Sequence, residues 1–320
     1  MNYKKLNDWN SGFHNWVLIR HPHEKRKQNG FMGGFIFGKR GSGKSTYCYK
    51  LQAKIYYTLN GYYNVDNEED AYKQSLKYML FDPVDFRSLL IKNKIKGDIT
   101  PVVTLDDASM HFGNTLHQTD AKLYAALRAE TATIRTAITG FLINAPKRDH
   151  VAKCLRDYDD YKGESMRVKG PSTSNEERQT ENWERKIRFY EWRWYPDEKK
   201  YNIKIPFQDK YSCYVPEPFY SWYTTKKNYF EIKYEVNIAD RIDPSTREIF
   251  IILKNDLPSY KGQPNLKGIV EKWEKEEEDE VIKEREKLEK ERIGKVEWEL
   301  KKLRVKEKLQ NIKEQEDEIK

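Results

Sequence analysis

Short apolar runs bounded by glycine or proline alternate, along the first half of the chain, with longer stretches in which apolar residues recur every three or four positions. The short runs are the pattern of strands buried on both faces, and the longer stretches that of amphipathic helices. "FMGGFIFG" (31–38) is one such run, "VVTL" (102–105) after Pro101 a second, and "AITGFLINAP" (137–146), broken by Pro146, a third. Between them "KSTYCYKLQAKIYYTL" (44–59) has the length and spacing of a helix. A second helix is expected over 68–80, with acidic residues in its first turn. A third is expected on "DPVDFRSLLIKN" (82–93), where Asp82 can cap and Pro83 fits the first turn. "TDAKLYAALRAETATIRT" (119–136) predicts a long helix, "HVAKCLRDYDDY" (150–161) another and "GESMRVKG" (163–170) a strand. The opening "FHNWVLIRH" (13–21) reads as a strand ahead of a basic loop, "HEKRKQNG" (23–30). Buried strands alternating with helices imply an α/β fold, a parallel sheet with helices on both faces.

The texture changes after residue 170. "GPSTSNEERQTENWER" (170–185) is polar and reads as a surface excursion, and "IRFYEWRWYPDEKKYNIKIPF" (187–207) as a hairpin about its central turn. Phe189, Trp192, Trp194 and Tyr195, interleaved with Arg188, Arg193, Lys199 and Lys200, suit two roles: stacking bases and contacting phosphates, or packing against the sheet. The segments 217–236 and 247–256 fit helix or strand. From Leu266 onward sparse apolar residues at spacings of roughly three, four or seven predict a long charged helix. It suits either a coiled coil or a solvated helix held by ion pairs one turn apart. The expected division is a core at 1–170, a β-rich extension at 171–262 that can belong to the same domain, and a helical tail at 263–320.

Composition adds a charge argument. The 320 residues carry a net charge of +8, yet residues 266–320 hold 16 Lys/Arg against 18 Asp/Glu, so the remainder carries +10. A basic body raises the expectation of a polyanionic partner such as nucleic acid. No apolar run approaches the roughly 18 residues that span a bilayer, and the start lacks the apolar stretch of a signal peptide, so a cytoplasmic protein with no membrane partner is expected. Cys48, Cys154 and Cys213 are too scattered for a disulfide framework or a zinc site. His21 and His23 of "HPH" read as part of a solvated loop.

Candidate chemistry begins at Gly38. The segment Gly38–Ser45 fits G-x-x-x-x-G-K-[ST], with a predicted strand before it and a predicted helix after it. Gly38, Gly41, Ser42 and Gly43 let backbone N–H groups wrap a phosphate while the following helix directs its positive end there. Lys44 is expected to reach the β and γ phosphates, Ser45 to ligate Mg²⁺, and Thr46 to assist at the α-phosphate. "VVTLDD" then delivers two carboxylates at a strand end: Asp106 to hold the magnesium shell beside Ser45, and Asp107 to orient or deprotonate the attacking water.

With these residues the chain resembles a P-loop NTPase of the additional-strand type, the group containing RecA-like and AAA-type ATPases, over roughly residues 30–170. Gly38–Ser45 matches its first motif and "VVTLDD" its second. The resemblance implies a catalytic, sensor-like role for Asn144 at the end of "FLIN". One departure stands out: Asp107 occupies a position where many members carry Glu, a shorter side chain that bears on hydrolysis rate. The layout also resembles uncharacterised ATPases of archaeal plasmids and viruses, which implies DNA-related work such as replication, partition, packaging or transfer. No N-K-x-D guanine-reading motif is matched, so the cofactors expected are ATP and Mg²⁺. Arg128, Arg135 and Arg148 are candidates for completing a neighbour's site in a homo-oligomer. Two functions follow: a DNA-acting ATPase, or a nucleotide-gated self-assembling protein with little turnover.

Overall fold

The computed structural model describes residues 6, 9, 11–22, 30–113, 116–156, 160–168, 184–195 and 200–318. The strands are β1 (Met32–Phe37), β2 (Met79–Leu80), β3 (Thr100–Leu105), β4 (Ile138–Asn144), β5 (Tyr161–Arg167), β6 (Glu184–Tyr195) and β7 (Lys200–Ser212). They form one sheet in the order β2-β3-β4-β1-β5-β6-β7. Pairings from β2 through β5 are parallel, and β6 and β7 extend the sheet antiparallel. The fold is therefore α/β with a mostly parallel sheet. β3 and β4 are buried along their whole length and β1 nearly so, which explains their unbroken apolar sequences. β5 alternates buried and half-exposed positions, as expected of a strand with one covered face.

The helices of nine or more residues that begin in this part of the chain are labelled α1 (Gly12–Arg20), α2 (Lys44–Thr58), α3 (Glu68–Tyr78), α4 (Pro83–Lys96), α5 (Ala121–Thr131) and α6 (Phe219–Arg241). The expected Asp82 cap holds, its side chain accepting from the Val84 N–H, and α3 has the expected acids in its first turn, with Asn67 accepting from the Asp70 N–H as a cap the sequence reading did not name. Phe35, Val103, Leu105 and Phe141 from the strands close a core with Phe86 and Leu90 of α4 and Leu127 of α5, in which Phe86 and Phe141 stack at 5.5 Å. No helix among the described residues is long and apolar enough to cross a membrane.

Several expectations are corrected. Residues 13–21 are not a strand: Ser11 caps α1 by accepting from the His14 N–H, and Phe13 and Val17, one turn apart, bury the same face. His21 is not in a solvated loop, because it is buried with its ring nitrogens against Thr139 and Tyr63. The helix expected over 119–136 stops at Thr131 and continues only as a 3₁₀ turn at Ile134–Thr136. The one expected over 150–161 is a single turn, Lys153–Arg156, because β5 begins at Tyr161. Residues 79–80 leave α3 to pair with β3. The hairpin forms as expected, but it lengthens the central sheet. His23 and the basic loop at 23–29, most of the polar excursion, and the hairpin turn at 196–199 lie outside the described residues.

Contacts divide the chain into two units, residues 1–230 and 231–320. In the second, Val236 and Ala239 of α6 pack on Val270 and Trp273, and Trp273 donates its indole N–H to Asp240 at 3.0 Å. Helix α7 (Arg247–Ile252) adds Phe250 and Ile251, and α8 (Leu266–Glu318) is the expected charged helix.

His14 of α1 gives the first unit a pH dependence. Burial, opposed by a hydrogen bond to Asn15 and assisted by nearby Lys54, lowers its pKa from 6.5 to about 4. The unfolded chain then binds a proton in this window that the folded chain refuses. The contribution is complete above about pH 6.5 and is lost as pH falls through about 4, with a full span on the order of 3 kcal/mol. Urea unfolding at about pH 7 and about pH 4.5 is expected to show a smaller loss in His14→Gln than in the parent. Equal losses would remove His14 from this role.

Candidate functional site

β1 ends at Phe37, and the chain turns through Gly38, Gly41 and Gly43 at φ of 142°, 73° and 83° before α2 starts at Lys44. These are values that glycine adopts freely and side-chain-bearing residues rarely do. Space adds a second constraint at two of them. A Cβ on Gly43 would sit 2.8 Å from Cys213 Sγ and 3.0 Å from the Tyr211 hydroxyl, and one on Gly38 would sit 2.9 Å from the Ser165 carbonyl oxygen. The loop lies pressed onto β5 and β7: Ser165 donates to the Ser42 carbonyl at 2.8 Å and Tyr211 to the Gly43 carbonyl at 2.9 Å. Gly41 faces open space.

Lys44 folds back across this loop, its ammonium donating to the carbonyls of Gly38 and Lys39 at 3.0 Å each. Burial lowers its pKa, and the charges of Asp107 and Asp106 oppose that shift. The α2 N-terminus and the Lys44 ammonium thus present positive charge in one place.

β4 lies between β1 and β3, and this order brings three chain-distant residues together. Asn144, ending β4, donates from Nδ2 both to Ser45 Oγ at 2.9 Å and to Asp106 Oδ1. Asp106, beyond the end of β3, is fully buried, and its Oδ2 accepts from the Tyr223 hydroxyl at 2.7 Å. Burial and then neighbouring Asp107 push its pKa up, while Lys227, Tyr223 and Ser45 pull it down. Asp107 takes a left-handed backbone at φ 46° and its carboxylate pairs with Lys227. Thr46 follows on α2, half-buried.

Ser42, Lys44, Ser45, Asp106 and Asn144 are therefore gathered, while Asp107 points to a cation supplied by α6. Tyr223 and Lys227 escaped the sequence reading. They stand four residues apart, on one face of α6, so the only available signal was a spacing that acquires meaning once that segment is known to be a helix. Arg128 and Arg135 are exposed, and Arg148 donates to the Arg156 carbonyl. In the hairpin, Phe189 packs, its ring 4.5 Å from Phe207 and 5.7 Å from Phe13. Arg188 is half-exposed, and the side chains at 192–202 lie outside those described.

Two buried atoms bear on what the site can hold. Ser42 Oγ and Asn144 Oδ1 have no hydrogen-bond partner among the described residues. Buried polar atoms are nearly always satisfied, so these two match a group that brings its own donors or a hydrated cation. The Ser45 hydroxyl and Asp106 carboxylate are hard oxygen donors, the set that suits Mg²⁺ when phosphate oxygens and water complete its shell.

No protein-family model matches the chain. It is similar to the uncharacterised protein B-251 of Sulfolobus spindle-shape virus 1, with 26% identity over 161 residues. The match covers 49% of this chain and 57% of that protein, so the chain spans little more than half of its relative's length.

Proposed function

We propose that the chain binds a nucleoside triphosphate, ATP, together with Mg²⁺, and hydrolyses it as a P-loop NTPase of the additional-strand group. The observation that carries this reading is the left-handed glycine loop with Lys44 folded across it, joined through Ser45 and Asn144 to a buried acid at a nearby strand end. The order β3-β4-β1, with a strand inserted between those bearing the acid and the loop, supports the same group.

In this reading the loop N–H groups and the α2 N-terminus hold the phosphates. Lys44 exchanges its two carbonyl partners for phosphate oxygens. Ser45 and Asp106 hold Mg²⁺, which when bound neutralises charge developing on the transferred phosphoryl group. Asn144 keeps Ser45 and Asp106 in register and has a free acceptor for the attacking water. Asp107 orients that water once its carboxylate turns from Lys227.

The +10 outside the tail supports a nucleic-acid partner, and the resemblance to ATPases of archaeal plasmids and viruses favours DNA, in work such as replication, partition, packaging or transfer. A second reading, a nucleotide-gated assembly protein with little turnover, rests on the exposed apolar residues of α8. Phosphate release from ATP, measured with and without single- and double-stranded DNA while the same samples are sedimented, separates the two. A severalfold rise with DNA is expected. Negligible turnover indifferent to DNA, with pelleting that depends on nucleotide, would replace the first reading by the second.

A further inference from the structure

Beyond Trp273, α8 continues as helix to Glu318, and Val281, Ile282, Leu288, Val296, Leu300 and Leu303 are each about half exposed. At about 100° per residue these six lie within an arc of about 120°, an apolar stripe with Ile293 at its margin, while Trp298, also exposed, stands off it. A stripe of this kind on a helix that serves only as a solvated strut has no reason to keep to one side.

The charges say what covers it. The seam positions 281, 285, 288, 292, 296, 299 and 303 read Val, Arg, Leu, Arg, Val, Glu and Leu, and their spacing of four, three, four, four, three and four is symmetric about Arg292. Laid against a second copy running the opposite way, Val281 meets Leu303, Leu288 meets Val296, and Arg285 meets Glu299, each pairing occurring twice. Along one flank Glu284 meets Lys302 and Glu291 meets Lys295, because that flank is acidic before Arg292 and basic after it. Along the other, Ile282 meets Leu300. The one like-charged layer is Arg292 against itself at the axis, where long side chains can turn their heads to solvent. A parallel pair in register would instead oppose Arg285, Arg292 and Glu299 each to its own copy, three like-charged layers.

We propose that the chain forms a two-fold dimer through an antiparallel pairing of α8 over residues 281–303, with Arg292 at the axis. The partner is a second copy of this chain, and the interface is independent of nucleotide binding.

Light scattering on the full chain, with electron-spin distance measurement on Val281→Cys carrying a spin label, tests it. The native cysteines are buried, which keeps them from the label. A mass twice that of the 38.3 kDa chain is expected. The labels should lie about 33 Å apart, since they are offset by 22 residues at about 1.5 Å each. Arg285→Glu is expected to weaken association about tenfold or more, and Arg285→Glu combined with Glu299→Arg to restore it, a rescue that a merely stabilising role for either residue would not give. A monomer at all concentrations, a label separation near about 10 Å, or failure of the double variant to recover would overturn the proposal.

Discussion

Replacing Lys44 by alanine is expected to lower ATP turnover about 100-fold or more while leaving the fold intact. The fold is spared because the ammonium bonds only to the carbonyls of Gly38 and Lys39, which lie on a partly exposed loop where water can replace it. Catalysis is not spared, because Lys44 is the side-chain cation resting on the loop itself. A single preorganised donor at a developing phosphoryl charge supplies about 3 kcal/mol or more of barrier reduction. Steady-state phosphate release, with a melting curve for each protein, gives the comparison. A variant that keeps more than about a tenth of the parent's rate would move the chemistry away from this loop.

Asp209→Ala is expected to carry the largest stability cost, about 4 kcal/mol. The carboxylate of this β7 residue is buried and accepts from the Ser11 hydroxyl at 2.6 Å, the Tyr47 hydroxyl at 2.6 Å and the Gly12 N–H at 2.9 Å. Burial raises its pKa, and these three donors pull it back. Alanine would strand all three inside the protein, at about 1–3 kcal/mol each before relaxation. The loss would reach the candidate site through Tyr47, which stands one turn into α2, the helix that Lys44 begins. Urea denaturation at neutral pH is the check; a change below about 1 kcal/mol would mean that water or a shifted side chain satisfies the donors.

That carboxylate also marks where sequence reading ran out. β1, β3 and β4 were legible because strands covered on both faces must be apolar throughout, and α4 because Asp82 and Pro83 announce its start. The loop was legible because its glycines answer a backbone demand that few other residues meet. α1 was not, since "FHNWVLIR" mixes aromatic and branched residues that suit either element. What decides for a helix is the Ser11 cap, and Ser11 is in turn fixed by Asp209 from a strand nearly two hundred residues away. The same limit hid Tyr223 and Lys227. Asp106 and Asp107 could be seen as acids at a strand end, but not which partners α6 would bring to them. Asn144, named from resemblance, does meet Ser45 and Asp106, because the strand order places β4 between β3, which leads to Asp106, and β1, which leads into the loop before Ser45.

The most direct test of the central claim is a calorimetric titration of the full chain with ATP, with Mg²⁺ and with the metal chelated, run in parallel on Lys44→Ala. Saturable binding that weakens at least about tenfold without Mg²⁺ and at least as much in the variant is the predicted result. No saturable heat up to millimolar ATP, or equal affinity in parent and variant, would contradict it.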